Sequence, residues 1–598
     1  MGVKKRVADI VIEALAEAGI SSCFAVVGGG AMHLDNALAT HPEIKTIFNH
    51  HEQACAMAAE SYARTSGKIA AVCVTSGPGA SNAITGVVGA WQDSIPLIII
   101  SGQVRYATMA RTSGLPLRYR GVQELDIVPM ISSITKYSTI LLDPLAARYE
   151  VHKAIDIAMA GRRGPVWIDI PLDIQSSYVE IEDLYPTKVI LPTPGLSENE
   201  AKEILNALSN AKRPCILSGT GIISSSNKER FLDFARRMRV PVLAGGWCAD
   251  IMGTEEDLFF GLSGDIGPRT GNFILQTADL ILVLGNSLSF RQTGFSQSDF
   301  APNASILYVD VEEAEAKKPG LHIDRFYHSG LSEFFDAMEG NSIKGASVSW
   351  LSYCQYLRKR FTPFESIDKG VDPNARVNSY YFWQVIDSYL NKDEIIVLGN
   401  SRVDTAKLQI GVSTNGQRAI ANYLCGSMGY DLPAAIGAAV ATGKRIICVT
   451  GDGSIMMNLQ ELQTIAHNHL PIKVVVFAND GYEAIRQTHK NFFNGLLFGC
   501  DLSSGISFPN FECLAEAFGF SYLRCSSNQE IEKQIATFLA TDEPAILEVC
   551  QQIDNPVIPK LMSRMNPDGS FATPALQDMA PFISQEELDE LMDKGLEA

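Results

Sequence analysis

The amino-acid sequence predicts an α/β protein of three doubly wound parallel-sheet domains, the first and third related by duplication. Three observations carry this. The chain's 598 residues exceed what one hydrophobic core usually organises, so about three or four domains is the expectation. The segment CVTSGPGASNAITGVVGAWQDSIPLIII from Cys73 resembles CVTGDGSIMMNLQELQTIAHNHLPIKVVV from Cys448, and one shift of 375 residues relates both Thr75 to Thr450 and Pro96 to Pro471. Each copy reads as a short apolar strand, a glycine turn, a helix of about five turns and a Pro-initiated β-rich strand, which is a βαβ unit.

In chain order, MGVKKRVADIVIEALAEAG opens the first copy as an amphipathic helix. Asp9, Glu13 and Glu17 interrupt its apolar pattern at helical spacing, unlike the continuous apolar core of a signal peptide. Ser197 to Glu200 fits a capping box that starts the helix ENEAKEILNAL after the Pro-bearing stretch LPTPGL, and a middle domain begins there. Its runs Leu280 to Leu284 and Ile306 to Val311 alternate with helical patterns, so it too reads as parallel α/β. The polar passage FTPFESIDKGVDPNARVNS leads into the second copy. The expected domains are 1–180, 190–345 and 370–555, with 556–598 as a C-terminal tail. The part of the tail in PVIPKLMSRMNPDGSFATPALQDM is too rich in Pro and Gly for a regular element, which makes it a candidate cover over a surface or cleft.

Composition excludes several function classes. A formal net charge of −18 disfavours nucleic acid, whose binding rests on neutralising phosphates with Lys and Arg. No stretch approaches the roughly 18 uninterrupted apolar residues of a membrane span. The twelve cysteines form no CxxC pair, and Cys73 and Cys448 lie in apolar runs, so they read as reduced thiols of a cytoplasmic protein.

The two copies differ at the turn, where Gly77-Pro78 aligns with Asp452-Gly453. An acid is therefore not required by the fold. The carboxyl ends of strands in a doubly wound sheet line the ligand crevice, and a glycine turn before a helix presents N–H groups to an anion. A carboxylate there is repulsive unless a cation intervenes, and Mg²⁺ bridging to a phosphate resolves the conflict with hard oxygen ligands. The next β-run ends at Asn479, 27 residues after Asp452, where the Asn479 amide and the Gly481 carbonyl supply further oxygens. Taken singly, Gly-Asp-Gly is more often a solvated turn and Asn-Asp-Gly a loop; their spacing across one βαβ unit favours the metal site.

Gly-Asp-Gly followed by Ala478-Asn479 resembles the thiamine diphosphate signature, with Ala478 in place of the usual first Asn. The whole chain resembles the acetohydroxyacid (acetolactate) synthase-like group of thiamine diphosphate-dependent enzymes. That resemblance makes the three domains pyrimidine-binding, middle and diphosphate-binding. It implies that Glu52, in NHHEQACAMAAESYAR, hydrogen-bonds the aminopyrimidine ring and activates the cofactor, although alone Glu52 reads as a helix N-terminal acid. In YLCGSMGYDLPAAIGAA it implies that the Gly426 carbonyl receives the cofactor's amino group and that Met428 props the cofactor's two rings into a bent conformation. VLGNSRVD supplies the diphosphate turn Gly399, Asn400 and Ser401, without the family's common Gln-His pair. TSGPGASN and GVQELD nominate Pro78, Asn82 and Gln123, and the signature region adds Gly453, Ser454 and Tyr482. The metal set is Asp452, Asn479 and Gly481.

Departures bear on the substrate. The biosynthetic synthases carry a Trp shortly after the metal Asn and a Lys in a Pro-Lys-Asp motif, whereas this chain has YEAIRQTHKNFF and Pro171-Leu172-Asp173. Arg486 and Lys490 are candidates for a carboxylate or sugar phosphate, against the commoner reading of solvated loop charges. FAD stays open: CILSGTGII offers Gly219 and Gly221 without a third fingerprint glycine, and NSLSFRQTG keeps Arg291 and Gly294 without the acidic pair of the FAD-binding members. The expected activity is a thiamine diphosphate- and Mg²⁺-dependent carboligase. It decarboxylates a 2-oxo acid, taken as pyruvate, and transfers the acyl unit to a second carbonyl of an oxo acid or oxo sugar. A 2-oxo acid decarboxylase (lyase), a flavin-linked oxidase and a retired scaffold are the alternatives. The resemblance further implies a homodimer or homotetramer.

Overall fold

A computed structural model of the protein describes residues 2–187, 191–541, 543–554, 557–565, 568 and 571–598. The boundaries expected at residues 190 and 555–556 fall outside the described residues. Three six-stranded sheets, parallel throughout, form the three domains. In the first, the strand order is Lys45–Phe48, Ser22–Ala25, Ala70–Val74, Leu97–Gln103, Val166–Pro171, Tyr137–Ile140. In the third it is Arg418–Ile420, Ile395–Leu398, Ile446–Gly451, Ile472–Ala478, Ala545–Cys550, Ser521–Cys525. Counted within each domain both orders are the same, so the internal repeat extends from one βαβ unit to a whole sheet. The strands Leu97–Gln103 and Ile472–Ala478 begin 375 residues apart.

The middle sheet has a different order: Phe259–Leu262, Val242–Ala244, Pro214–Ser218, Leu280–Leu284, Ser305–Asp310, Arg325–His328. This is the doubly wound arrangement in which strand order reverses about the first strand, opening a crevice between Pro214–Ser218 and Leu280–Leu284. The helix Glu198–Asn210 leads into it, with Ser197 and Glu200 forming the full capping box.

The apolar runs form buried strands because both sheet faces are covered; Ile446 through Val449 are fully buried. First and third domains share one core through the helices Glu52–Ser66 and Asp431–Thr442. These occupy corresponding positions in the two copies. Alanines and Gly437 let their backbones approach so closely that a Cβ on Gly437 would overlap the Ala58 carbonyl. Tyr430 donates to the buried Glu60 carboxylate across this contact at 2.5 Å.

Two expectations of local structure are revised. The five-turn helix after each glycine turn is broken: the first copy has Pro78–Asn82 and Ile84–Gln92, and the second only a 3₁₀ turn Ile455–Met457 before Glu461–His467. In the second copy Asn458 interrupts the helix because its side chain is spent on tertiary partners, donating to Gly429 O at 2.7 Å and Gln53 Oε1 at 3.0 Å. The Pro- and Gly-rich tail holds a small antiparallel pair, Arg564–Met565 with Phe571–Ala572, and ends in the helix Gln585–Glu597 against the middle domain. No helix among the described residues is long and apolar enough to cross a membrane.

Candidate functional site

In the third domain the strand order reverses between Ile395–Leu398 and Ile446–Gly451. The chain leaves the first of these strands through Gly399, Asn400 and Ser401 and the second through Asp452 and Gly453, so the two sequence-predicted turns meet at the crevice such sheets use for ligands. Ser401 has φ 73° and ψ −122°, a conformation that costs a non-glycine residue energy, and it starts the helix Arg402–Ile410. The side-chain N–H₂ of Asn400 is buried with no hydrogen-bond partner among the described residues.

Asp452 is 3% exposed, and its Oδ2 accepts from the backbone N–H groups of Asn479 at 3.0 Å and Gly481 at 3.2 Å. The neighbouring strand therefore delivers Asn479 and Gly481 to Asp452, as the 27-residue spacing predicts. Burial pushes the Asp452 carboxyl up to about 7, with the backbone donors opposing the rise. Asn479 donates its side-chain N–H to Gln551 Oε1 at 3.1 Å, while its Oδ1 is buried and unpartnered. An orphaned amide oxygen beside a desolvated carboxylate fits a hard divalent cation, which supplies what both lack.

Gly453 is obligatory in this arrangement: a Cβ there would overlap the Tyr482 ring and come within 3.4 Å of the Met428 methyl. Ser454 accepts the Gly429 N–H at 2.9 Å and so fixes the segment bearing Met428. Gly426, at φ 60°, is exposed on the same segment. The structure thus gathers Asp452, Gly453, Ser454, Asn479, Gly481, Tyr482 and Met428 around one turn, with Gly399 to Ser401 on the adjoining strand end.

A second group lies at the carboxyl edge of the first sheet. Glu52 begins its helix beside the cap residue His51, whose Nδ1 accepts the Gln53 N–H at 3.1 Å. Asn82 donates to Glu52 Oε2 at 2.9 Å. Pro78 starts the helix that carries Asn82, and the Gln123 carbonyl packs so tightly on Gly77 that a Cβ on Gly77 would overlap it. Gln53 links the two groups through Asn458, and Glu461 of the third domain accepts from the His50 N–H at 3.0 Å.

Sequence reasoning missed Gln551, Asn458 and Glu461. Gln551 follows an apolar strand, Asn458 separates a 3₁₀ turn from a short helix and Glu461 starts that helix, and each has a partner tens to hundreds of residues away. Arg486 and Lys490 lie on a helix, Glu483–Phe492, rather than a loop. Arg486 is 4% exposed, ion-paired with Glu483 at 2.5 Å, and donates to the Asp480 carbonyl at 3.0 Å, so it braces the turn Asn479 to Gly481. Lys490 pairs with Asp554 at 2.6 Å.

The middle-domain crevice holds a cavity of about 230 Å³. Gly219 and Gly221 line it together with Gly245 and Gly285, which come from other strand ends. A Cβ on Gly219 would overlap the Gly285 carbonyl, so the glycines serve close backbone approach. Gln292 Oε1 is buried there without a partner. Arg291 lines the cavity and pairs with Asp265 at 3.0 Å.

Comparison with known proteins follows the three domains. Residues 5–130 match the family model described as thiamine pyrophosphate enzyme, N-terminal TPP binding domain; 201–323 match the central domain and 398–549 the C-terminal TPP binding domain. The chain is 30% identical to acetolactate synthase isozyme 1 large subunit of Escherichia coli, covering 92% of this chain and 95% of that protein. It is 30% identical to a probable acetolactate synthase large subunit of Methanocaldococcus jannaschii, over 98% of each. It is also 30% identical to acetolactate synthase 3, chloroplastic, of Brassica napus, over 93% of this chain and 85% of that protein.

Proposed function

The chain belongs to the thiamine pyrophosphate enzyme family as an acetolactate synthase-like member, and from that premise we propose that it decarboxylates a 2-oxo acid, with pyruvate as donor, and transfers the acyl unit to a second carbonyl compound. The observation that carries this reading is the unpartnered Asn479 Oδ1 beside buried Asp452 at the third domain's switch point. Asp452, Asn479 and the Gly481 carbonyl would hold Mg²⁺. Gly399, Asn400 and Ser401, with Gly453 and Ser454, would hold a diphosphate through N–H donors, and Met428 and Tyr482 wall the cradle. When bound, thiamine diphosphate supplies the stabilised carbanion chemistry that a 2-oxo acid needs to lose CO₂.

The residues of the chain orient groups and move protons. Asn82 fixes Glu52 through Oε2, leaving Oε1 to exchange a proton with a bound group. Met428, Gly426 and Gln123 complete the site. Within one chain the described hydrogen bonds join the neighbours of Glu52 to the third domain through Gln53–Asn458 and His50–Glu461, and none among the described residues joins Glu52 itself to Asp452. That, with exposed Phe48 and Phe498 near the two groups, supports a homodimer or homotetramer that joins one copy's Glu52 to another's diphosphate turn. The middle-domain cavity is where FAD would lie. Twelve free cysteines, most of them buried, support a reducing cytoplasmic setting.

Purified protein supplied with thiamine diphosphate, Mg²⁺ and pyruvate, alone and with carbonyl acceptors, should release CO₂ and form a hydroxyketone. Aldehyde as the sole product would indicate the lyase, and no turnover across a panel of 2-oxo acids would reject the proposal. Glu52→Gln should lower turnover by about 10²- to 10⁴-fold. Native mass spectrometry of the protein as purified reads oligomer, thiamine diphosphate and flavin together.

A further inference from the structure

The first sheet's strand Leu97–Gln103 runs into a long segment, residues 104–122, that returns to Gln123 against Gly77. Both ends therefore lie at the sheet edge that bears Glu52, Pro78 and Asn82. In a chain of net charge −18, this segment contains Arg105, Arg111, Arg118 and Arg120 and no carboxylate. Its backbone is anchored by acids at its borders. Glu124 accepts from the N–H groups of Ala110 at 2.5 Å, Arg120 at 2.7 Å and Gly121 at 2.9 Å, and Asp173 accepts from the Tyr106 N–H at 3.0 Å. The three backbone donors hold the Glu124 carboxyl below its usual range despite partial desolvation.

These carboxylates are thus spent on shaping the loop rather than on neutralising it. Arg120 turns inward toward the Met109 carbonyl at 3.4 Å, and Arg111 reaches Asp126 at 3.4 Å on the exposed surface. The guanidinium groups of Arg105 and Arg118 belong to exposed residues and make no hydrogen bond or ion pair with any described residue, the Arg105 carbonyl alone accepting from Thr108 at 2.8 Å. Tyr119, the residue after Arg118, is 71% exposed. An anchored loop that springs from the Glu52 edge of the first sheet and carries two unengaged guanidinium groups in an otherwise acidic protein matches a phosphate in charge. It also gives an anionic substrate a local attraction that the rest of the chain opposes.

We propose that residues 104–122 form the acceptor subsite and recognise a carbonyl acceptor bearing a phosphate or diphosphate group, with Arg105 and Arg118 as its ligands. This rests on the carboligase reading above and names the class of its second substrate. The phosphate is a handle that takes no part in bond making.

The test uses holoenzyme saturated with thiamine diphosphate and Mg²⁺, titrated calorimetrically with glucose, glucose 6-phosphate and UDP-glucose. At least one phosphorylated probe should bind more tightly than glucose, more weakly as salt rises, and about 10- to 100-fold more weakly in R105Q/R118Q. R105K/R118K, which keeps charge but not the planar fork, should fall between. Binding of glucose 6-phosphate assigns a simple phosphate ester, and binding of UDP-glucose alone assigns a nucleotide-linked acceptor. Equal affinity for all three probes, equal affinity of wild type and R105Q/R118Q, or a changed oligomer mass in R105Q/R118Q would overturn the proposal, the last by making the loop a subunit contact. Probe binding needs no turnover, so an enzyme that binds the phosphorylated probes but decarboxylates no 2-oxo acid refutes the carboligase reading, whereas turnover without probe binding refutes the subsite.

Discussion

Asn479 donates its side-chain N–H to Gln551 Oε1 at 3.1 Å, and this bond determines which end of the Asn479 amide remains free as an acceptor. Gln551 is itself buried and bonded to Ser379, so the amide has a rigid backing. Gln551→Ala should therefore lower Mg²⁺ affinity by about 10- to 100-fold, the usual effect of removing a partner that orients a metal ligand. Calorimetric Mg²⁺ titration in the presence of thiamine diphosphate checks this; an unchanged affinity would show that Gln551 does not orient the site.

Gly453 meets the Tyr482 ring so closely that even a methyl group has no room. Gly453→Ala should cost at least about 100-fold in thiamine diphosphate affinity, because the ring must move out of the cradle. Gly453→Ala/Tyr482→Ala should recover part of that loss. Independent, additive effects in the double-mutant cycle would contradict a steric coupling between the two.

Arg486 braces the turn Asn479 to Gly481 from inside. Arg486→Leu removes the guanidinium from the buried Glu483 carboxylate and from the Asp480 carbonyl, and should destabilise the protein by about 3–5 kcal/mol. Glu483→Gln/Arg486→Leu should be milder than Arg486→Leu alone. Denaturant melts of the three proteins decide it, and equal losses for the single and double variants would reject the buried pair.

Asp169 is 1% exposed, and burial raises its carboxyl to about 7 although Ser101 and Gln103 donate to it. Its ordinary value is 3.8, so between there and about 7 the folded chain holds a proton that the unfolded chain has lost. Stability then falls as pH climbs through that window and levels off above it. Scanning calorimetry at pH 5 and pH 7.5 should show a melting drop that is smaller in Asp169→Asn; the same drop in both proteins would remove Asp169 from the account.

Much of the fold was legible in the sequence. Buried parallel strands are continuous apolar runs, so Leu280–Leu284 is read to the residue, and the capping box at Ser197 needs only local chemistry. The Asp452 and Asn479 turns were legible for a related reason: adjacent strands of one βαβ unit place their ends together at a fixed separation in sequence. Helix continuity was not. A glycine turn followed by an apolar stretch suggests one long helix, whereas Asn458 leaves helical geometry to satisfy Gly429 and Gln53.

The sequence by itself determined the duplicated α/β plan, the carboxylate at the third domain's turn and the glycines that give it room, because each depends on periodicity, spacing or a single steric requirement. The tertiary structure alone decided that Gln551 orients Asn479, that Arg486 is a buried brace and that Arg105 and Arg118 stay unengaged. Each of those outcomes depends on which distant groups consume a residue's hydrogen-bonding capacity, and a linear order of side chains carries no record of that competition.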